Sequence, residues 1–157
     1  MDFTFNEEQT MIQGQVEQFV QKEYDWETRQ ELSNSDLGFG DKNWKTFAEL
    51  GWLGISISED NGGFGGSSIE TMLIMEEFGK GLVVEPFLET IVMSSGLLDK
   101  HGTEEQKAEV LSAVINGDMH LALAYAEPQS RFNLSDVVTE AKADGKNFIL
   151  NGFKSVV

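Results

Sequence analysis

The chain has 157 residues, 40% of them apolar and 24% charged, which is enough to bury the core of one compact domain or of one domain with a further piece. Its 27 acidic residues against 11 basic ones give a net charge of −16, a field that repels phosphate backbones and anionic lipid and so argues against nucleic-acid or membrane-surface binding. There is no cysteine, which excludes a disulfide framework, a thiolate nucleophile and a cysteine metal site and fits a cytoplasmic setting. The start, MDFTFNEEQ, lacks the basic and apolar regions of a signal peptide, and no run is apolar for long enough to span a membrane.

In chain order, Asn6 with Gln9 predicts a capping box for a first helix striped by Ile12, Val16, Phe19 and Val20 and ending near Tyr24. Asp41 is read as the cap of a second helix carrying Trp44, Phe47, Ala48 and Leu50, stopped by Gly51. WLGISI, from Trp52 to Ile57, is expected to run extended into a glycine-rich loop. Ser67 with Glu70 opens a third helix halted near Gly79 or Gly81, and Pro86 starts a fourth, apolar on most of its circumference. Thr103 with Gln106 caps a fifth, closed by Asn116 and Gly117.

Near Asp118 the apolar period changes from helical to alternating. HLALAYA, DVVTEAKA and NFILNGFKSVV read as strands, with Asp144 and Gly145 in a hairpin turn between the last two. The expected fold is therefore mainly α: a helical domain over residues 1–118, then the first strands of a β domain over 119–157. FKSVV breaks off inside an apolar strand, so the chain is expected to be the front part of a longer protein.

Composition and spacing alone reveal no catalytic constellation. NGGFGGSSIE could cradle phosphate on free N–H groups, but it has neither the lysine of a P-loop nor a full dinucleotide fingerprint, and a glycine turn is the better reading. His101 and His120 lack partners for a metal site or a triad. Glu76 and Glu77 point in different directions on a helix, and the excess carboxylates are expected on a solvated surface. Met72, Met75 and Phe78 suit a core stripe.

The order of motifs carries more. FTFNEEQ, FAELGWLGISISEDNGGFGG, HGTEEQKAEVL, and the pair AEP and ILNGFKS together resemble the front part of a flavin-dependent acyl-CoA dehydrogenase. YDWETRQEL, VVEPFLET, AEPQSRFNLSDV and NGFKSVV look most like the small subunits of heteromeric members, such as that of a pimeloyl-CoA dehydrogenase.

The resemblance implies an N-terminal helical domain followed by the start of a β-barrel-like middle domain. It implies FAD as cofactor and an acyl-CoA thioester as substrate, oxidised at its α,β C–C bond. It further implies an electron-transfer flavoprotein as acceptor and a homo- or hetero-oligomer. The family's base is a glutamate usually found in a later bundle, so no catalytic residue is assigned here and the chain alone is not expected to turn over. Leu123, Tyr125, Ala126 and Val156 take flavin-lining positions by this resemblance. Glu89, Met93 and Leu97 on the fourth helix, with Arg131 and Phe132 at the corner, take substrate-side positions. Against the family pattern T-E-P-x-A-G-S-D, Ala126 replaces Thr, Arg131 and Phe132 replace Gly and Ser, and Val156 replaces an aromatic residue. Those departures leave a second reading, a non-catalytic subunit that supports a catalytic partner.

Overall fold

The computed structural model describes residues 4–155 and 157. The chain forms two units, one ending at Leu121 and the other starting at Ala122. In the first, α1 (Glu7–Glu23) begins with the expected reciprocal cap: Asn6 Oδ1 accepts from Gln9 N–H and the Gln9 side chain accepts from Asn6 N–H. A short helix that periodicity misses follows, α2 (Trp26–Ser33). Asp25 caps it through Thr28 N–H at 2.8 Å, and since it buries none of its residues it has no apolar stripe to detect.

Helix α3 (Asp41–Glu49) buries Trp44 and Phe47. Its cap position is Gly40 rather than Asp41, which stands in the first turn, and no side chain of its own segment caps it. Gly51, at φ 79°, ends this turn as expected, but WLGISI is not extended: Trp52–Gly54 coils into a 3-10 turn that buries Trp52 and Leu53. Burying two bulky neighbours on one side favours a tight turn over a strand, whose side chains alternate.

Helix α4 (Ser68–Gly81) has the Ser67–Glu70 capping box and ends on Leu82 at φ 52°. A Cβ on Gly81 would overlap Val20, so this glycine allows α1 and α4 to pack closely. The predicted fourth helix is π-helical over Leu88–Ser95 and then continues as α5 (Gly96–His101). The Ser95 hydroxyl donates to the Thr90 carbonyl at 2.7 Å, and the Thr90 hydroxyl is engaged by the backbone of Leu121. Although this helix is apolar on most of its circumference, Leu88 and Leu97 remain exposed. Helix α6 (Glu104–Ile115) carries the Thr103–Gln106 box.

Aromatic rings hold this unit together. Phe47 stacks on Phe78 at 4.9 Å and meets Phe19 edge-on at 5.3 Å, with Trp52 at 5.2 Å, while Phe78 meets Phe87 edge-on. Of the predicted methionine stripe, Met75 packs on the core and Met72 is exposed.

The second unit contains one hairpin, β1 (Glu140–Asp144) and β2 (Asn147–Asn151), antiparallel with Glu140 opposite Asn151 and Asp144 opposite Asn147. Gly145, at φ 63°, supplies the left-handed turn residue. HLALAYA is irregular rather than a strand, because no strand among the described residues pairs with it. Among the described residues, no helix is long and apolar enough to cross a membrane.

Candidate functional site

The corner of the second unit is built around one carboxylate. Glu127 follows the irregular stretch and its side chain is fully buried. It accepts from Lys154 Nζ at 2.8 Å, Thr139 N–H at 3.1 Å, Val138 N–H at 2.8 Å and the Gln129 side chain at 2.8 Å. Lys154, then the amides it receives, hold its carboxyl far below the usual carboxylate range. Two successive turns follow: Ser130 N–H donates to the Glu127 carbonyl at 3.0 Å and Asn133 N–H to the Ser130 carbonyl at 2.8 Å. A Cβ on Gly152 would overlap Thr139, so the glycine of the Asn-Gly pair is a packing requirement.

The residues singled out in the sequence fall around this anchor. Leu123 and Ala126 are half-buried and Tyr125 is exposed, and the N–H groups of Leu123, Ala124 and Ala126 have no partner among the described residues. Ser155 N–H donates to the Ala126 carbonyl at 2.9 Å. Arg131 adopts φ 49°, a left-handed conformation that costs an ordinary side chain about 1 kcal/mol and that the family's usual glycine adopts freely. Phe132 is 100% exposed. Val156 lies outside the described residues.

In the first unit, Glu89 lines a cavity of about 290 Å³ between α4 and the start of the π-helical stretch, with Met75, Phe78, Val83, Phe87 and Glu85. Met93, half-buried, and Leu97, exposed, lie further along the helix and do not line it. Three glutamates depart from the expected solvated surface: Glu127, Glu77 and Glu85. Glu77 is tied to Gln13 and Lys80. Glu85 Oε1 accepts from Gly40 N–H at 3.2 Å and Asn43 Nδ2 at 3.0 Å, so it serves α3 as a cap from a distant segment. Its other oxygen, Oε2, is buried without a partner.

Burial pushes the Glu85 carboxyl up from 4.5 to about 7. A raised carboxyl contributes its stability in full below its unfolded value and loses it as pH rises through the folded one, here between 4.5 and about 7. Between pH ~5 and ~8 the wild type is therefore expected to lose about 2 kcal/mol more stability than Glu85→Gln, as read by urea unfolding at both pH values.

The glycine-rich loop is a turn. Gly63, Phe64, Gly65 and Gly66 donate their N–H groups to the Ser58, Gly54, Ile57 and Ile55 carbonyls, leaving none of these four to cradle a phosphate. Asp99 fastens the loop through Ser58 and Asn61. No group of metal-ligating side chains occurs among the described residues. His101 is exposed, and the His120 ring packs at a tilt against Trp44 at 4.7 Å and Phe39 at 5.0 Å.

Residues 6–118 match the family model for the acyl-CoA dehydrogenase N-terminal domain. Acryloyl-CoA reductase (NADH) of Anaerotignum propionicum is 31% identical over 160 aligned positions, covering 100% of this chain and 40% of that protein. The ChsE4-ChsE5 complex from Mycobacterium tuberculosis superposes with a TM-score of 0.83 at 25% identity, over 97% of this chain and 40% of the other. An acyl-CoA dehydrogenase from Bacillus anthracis, solved in complex with FAD, gives 0.84 at 26% identity, over 94% of this chain and 26% of that one. The chain belongs to the acyl-CoA dehydrogenase family and pairs that family's helical N-terminal fold with the start of its β domain. FAD is the cofactor that comes with this membership.

Proposed function

We propose that this chain supplies part of the flavin and acyl-CoA site of a dehydrogenase that oxidises the α,β C–C bond of an acyl-CoA thioester. The observation that carries the reading is the corner fixed by Glu127, where the N–H groups of Leu123, Ala124 and Ala126 have no partner among the described residues. A flavin ring presents carbonyl and ring-nitrogen acceptors along one edge, and unpaired backbone donors suit them. FAD, when bound, supplies the hydride acceptor. Leu123, Tyr125 and Ala126 would hold the ring through backbone and apolar contact, with no hydroxyl at Ala126. Glu89 in the helical unit and Arg131 and Phe132 in the second would each keep the substrate-side role that the family resemblance gives them. Residues 1–118 and 119–157 would then be the family's helical and β domains. An electron-transfer flavoprotein as acceptor and an oligomeric assembly complete the proposal.

A second reading, a supporting subunit for a catalytic partner, is favoured by the left-handed Arg131 and the bare Phe132. Flavin content separates the two. The protein purified alone and incubated with FAD is expected to retain about one flavin per chain. Protein that stays colourless until a partner subunit is added would overturn the first reading and support the second.

A further inference from the structure

Residues 122–157 carry four acidic and four basic side chains, so the whole net charge of −16 falls on residues 1–121, and the second unit has no net charge of its own to repel an anion. Of its four bases, Lys154 is held by Glu127 and Lys142 by Glu140. The Arg131 side chain is exposed and makes no ion pair among the described residues. Arg131 and Phe132 are the two central residues of the turn Ser130–Asn133, closed by Asn133 N–H on the Ser130 carbonyl at 2.8 Å. The base of this turn is fixed, since Ser130 is 6% exposed and its hydroxyl donates to the Glu127 carbonyl at 2.9 Å. The tip is bare. Positive φ at the first central position suits glycine, yet this turn places arginine there at φ 49° and follows it with a ring that is 100% exposed. Backbone strain and an uncovered aromatic ring both weigh against folding, and the fully exposed ring offsets neither through a contact of its own.

We propose that Arg131 and Phe132 form a clamp for the nucleotide of CoA, the ring stacking on adenine and the guanidinium pairing with a phosphate, so that this corner selects thioesters carried on CoA over those carried on pantetheine alone. A guanidinium presents a planar fork of donors that fits phosphate oxygens two at a time, and an aromatic face stacks on a base. CoA carries a purine and phosphates at the end remote from its acyl group. An exposed cation beside an exposed ring suits that end, whereas the apolar acyl chain calls for burial. A protein partner fits less well, because the tip of one turn offers a small part of the roughly 800 Å² that each side of a stable interface covers. This inference rests on the acyl-CoA reading above and states which end of the substrate the corner holds.

The test is calorimetric titration of the FAD-loaded protein with two thioesters of one saturated acyl group, on CoA and on pantetheine, at low and at moderate salt. The CoA thioester is expected to bind at least about tenfold more tightly, by a margin that shrinks as salt rises. Arg131→Gly relieves the left-handed strain and so does not endanger folding. It is expected to weaken the CoA thioester about fivefold or more and to flatten the salt dependence of the preference, leaving the pantetheine thioester unchanged. Phe132→Ser, at a fully exposed position, is expected to weaken the CoA thioester by a similar factor with the salt dependence retained. A preference unaltered in either variant, or a pantetheine thioester weakened as much as the CoA thioester, would overturn the clamp and leave the acyl-CoA reading intact. Failure of both thioesters to bind would overturn that reading and the inference with it.

Discussion

Glu127→Ala is expected to unfasten the corner of the second unit. Four donors lose their acceptor at once: the amides of Val138 and Thr139, the Gln129 side chain and Lys154 Nζ. One carboxylate thus joins the residue after Ala126 to the strand entry and to the segment after β2, and no neighbouring group can replace it in a buried position. Hydrogen exchange at Val138 and Thr139 is the readout, with an expected acceleration of at least about tenfold. Because the folded carboxyl titrates far below its ordinary value, the fastening is fully present above the unfolded value, 4.5, and is lost only as pH falls through the depressed one. Wild-type protection at these two amides is therefore expected to persist at pH ~4, and loss of protection already at pH ~5 would contradict this account.

Phe47→Ala is expected to cost about 3–5 kcal/mol, a large loss for one residue of the helical unit. Phe47 is 0% exposed and touches the rings of Phe19, Trp44, Trp52 and Phe78, so its removal opens a cavity shared by α1, α3 and α4. Those neighbours are themselves fixed by packing and cannot collapse to fill it. Denaturant unfolding measures the loss; a change below about 1 kcal/mol would mean that the ring cluster is not the centre of this core.

The helical unit was legible because its signals are local. The boxes at Asn6, Ser67 and Thr103 pair residues three apart, so each can be read without knowing the fold. Helix α2 escaped because it buries nothing, and the fourth helix hid its π-helical turns because apolar content records burial, not hydrogen-bond register. Asp41 was a reasonable cap on local grounds, yet the carboxylate serving Gly40 is Glu85, many residues away. The same limit applies to the site. Glu127 and Glu85 count in a composition as two more surface acids, and only tertiary contacts reveal one as an anchor and the other as a buried acceptor. The Glu-Pro step following an apolar stretch was the available hint for Glu127. For Arg131 the signal was sharper, since a residue where the family usually has glycine now proves to stand at positive φ.

We propose that this chain contributes to a site where a flavin accepts a hydride from an acyl-CoA. The most direct test of that proposal is anaerobic addition of a saturated acyl-CoA to the FAD-loaded protein while the flavin absorbance is recorded. Loss of the oxidised flavin band is expected in the assembled protein. Flavin that stays bound and fully oxidised in that assembly, with the acyl-CoA demonstrably bound, would contradict it.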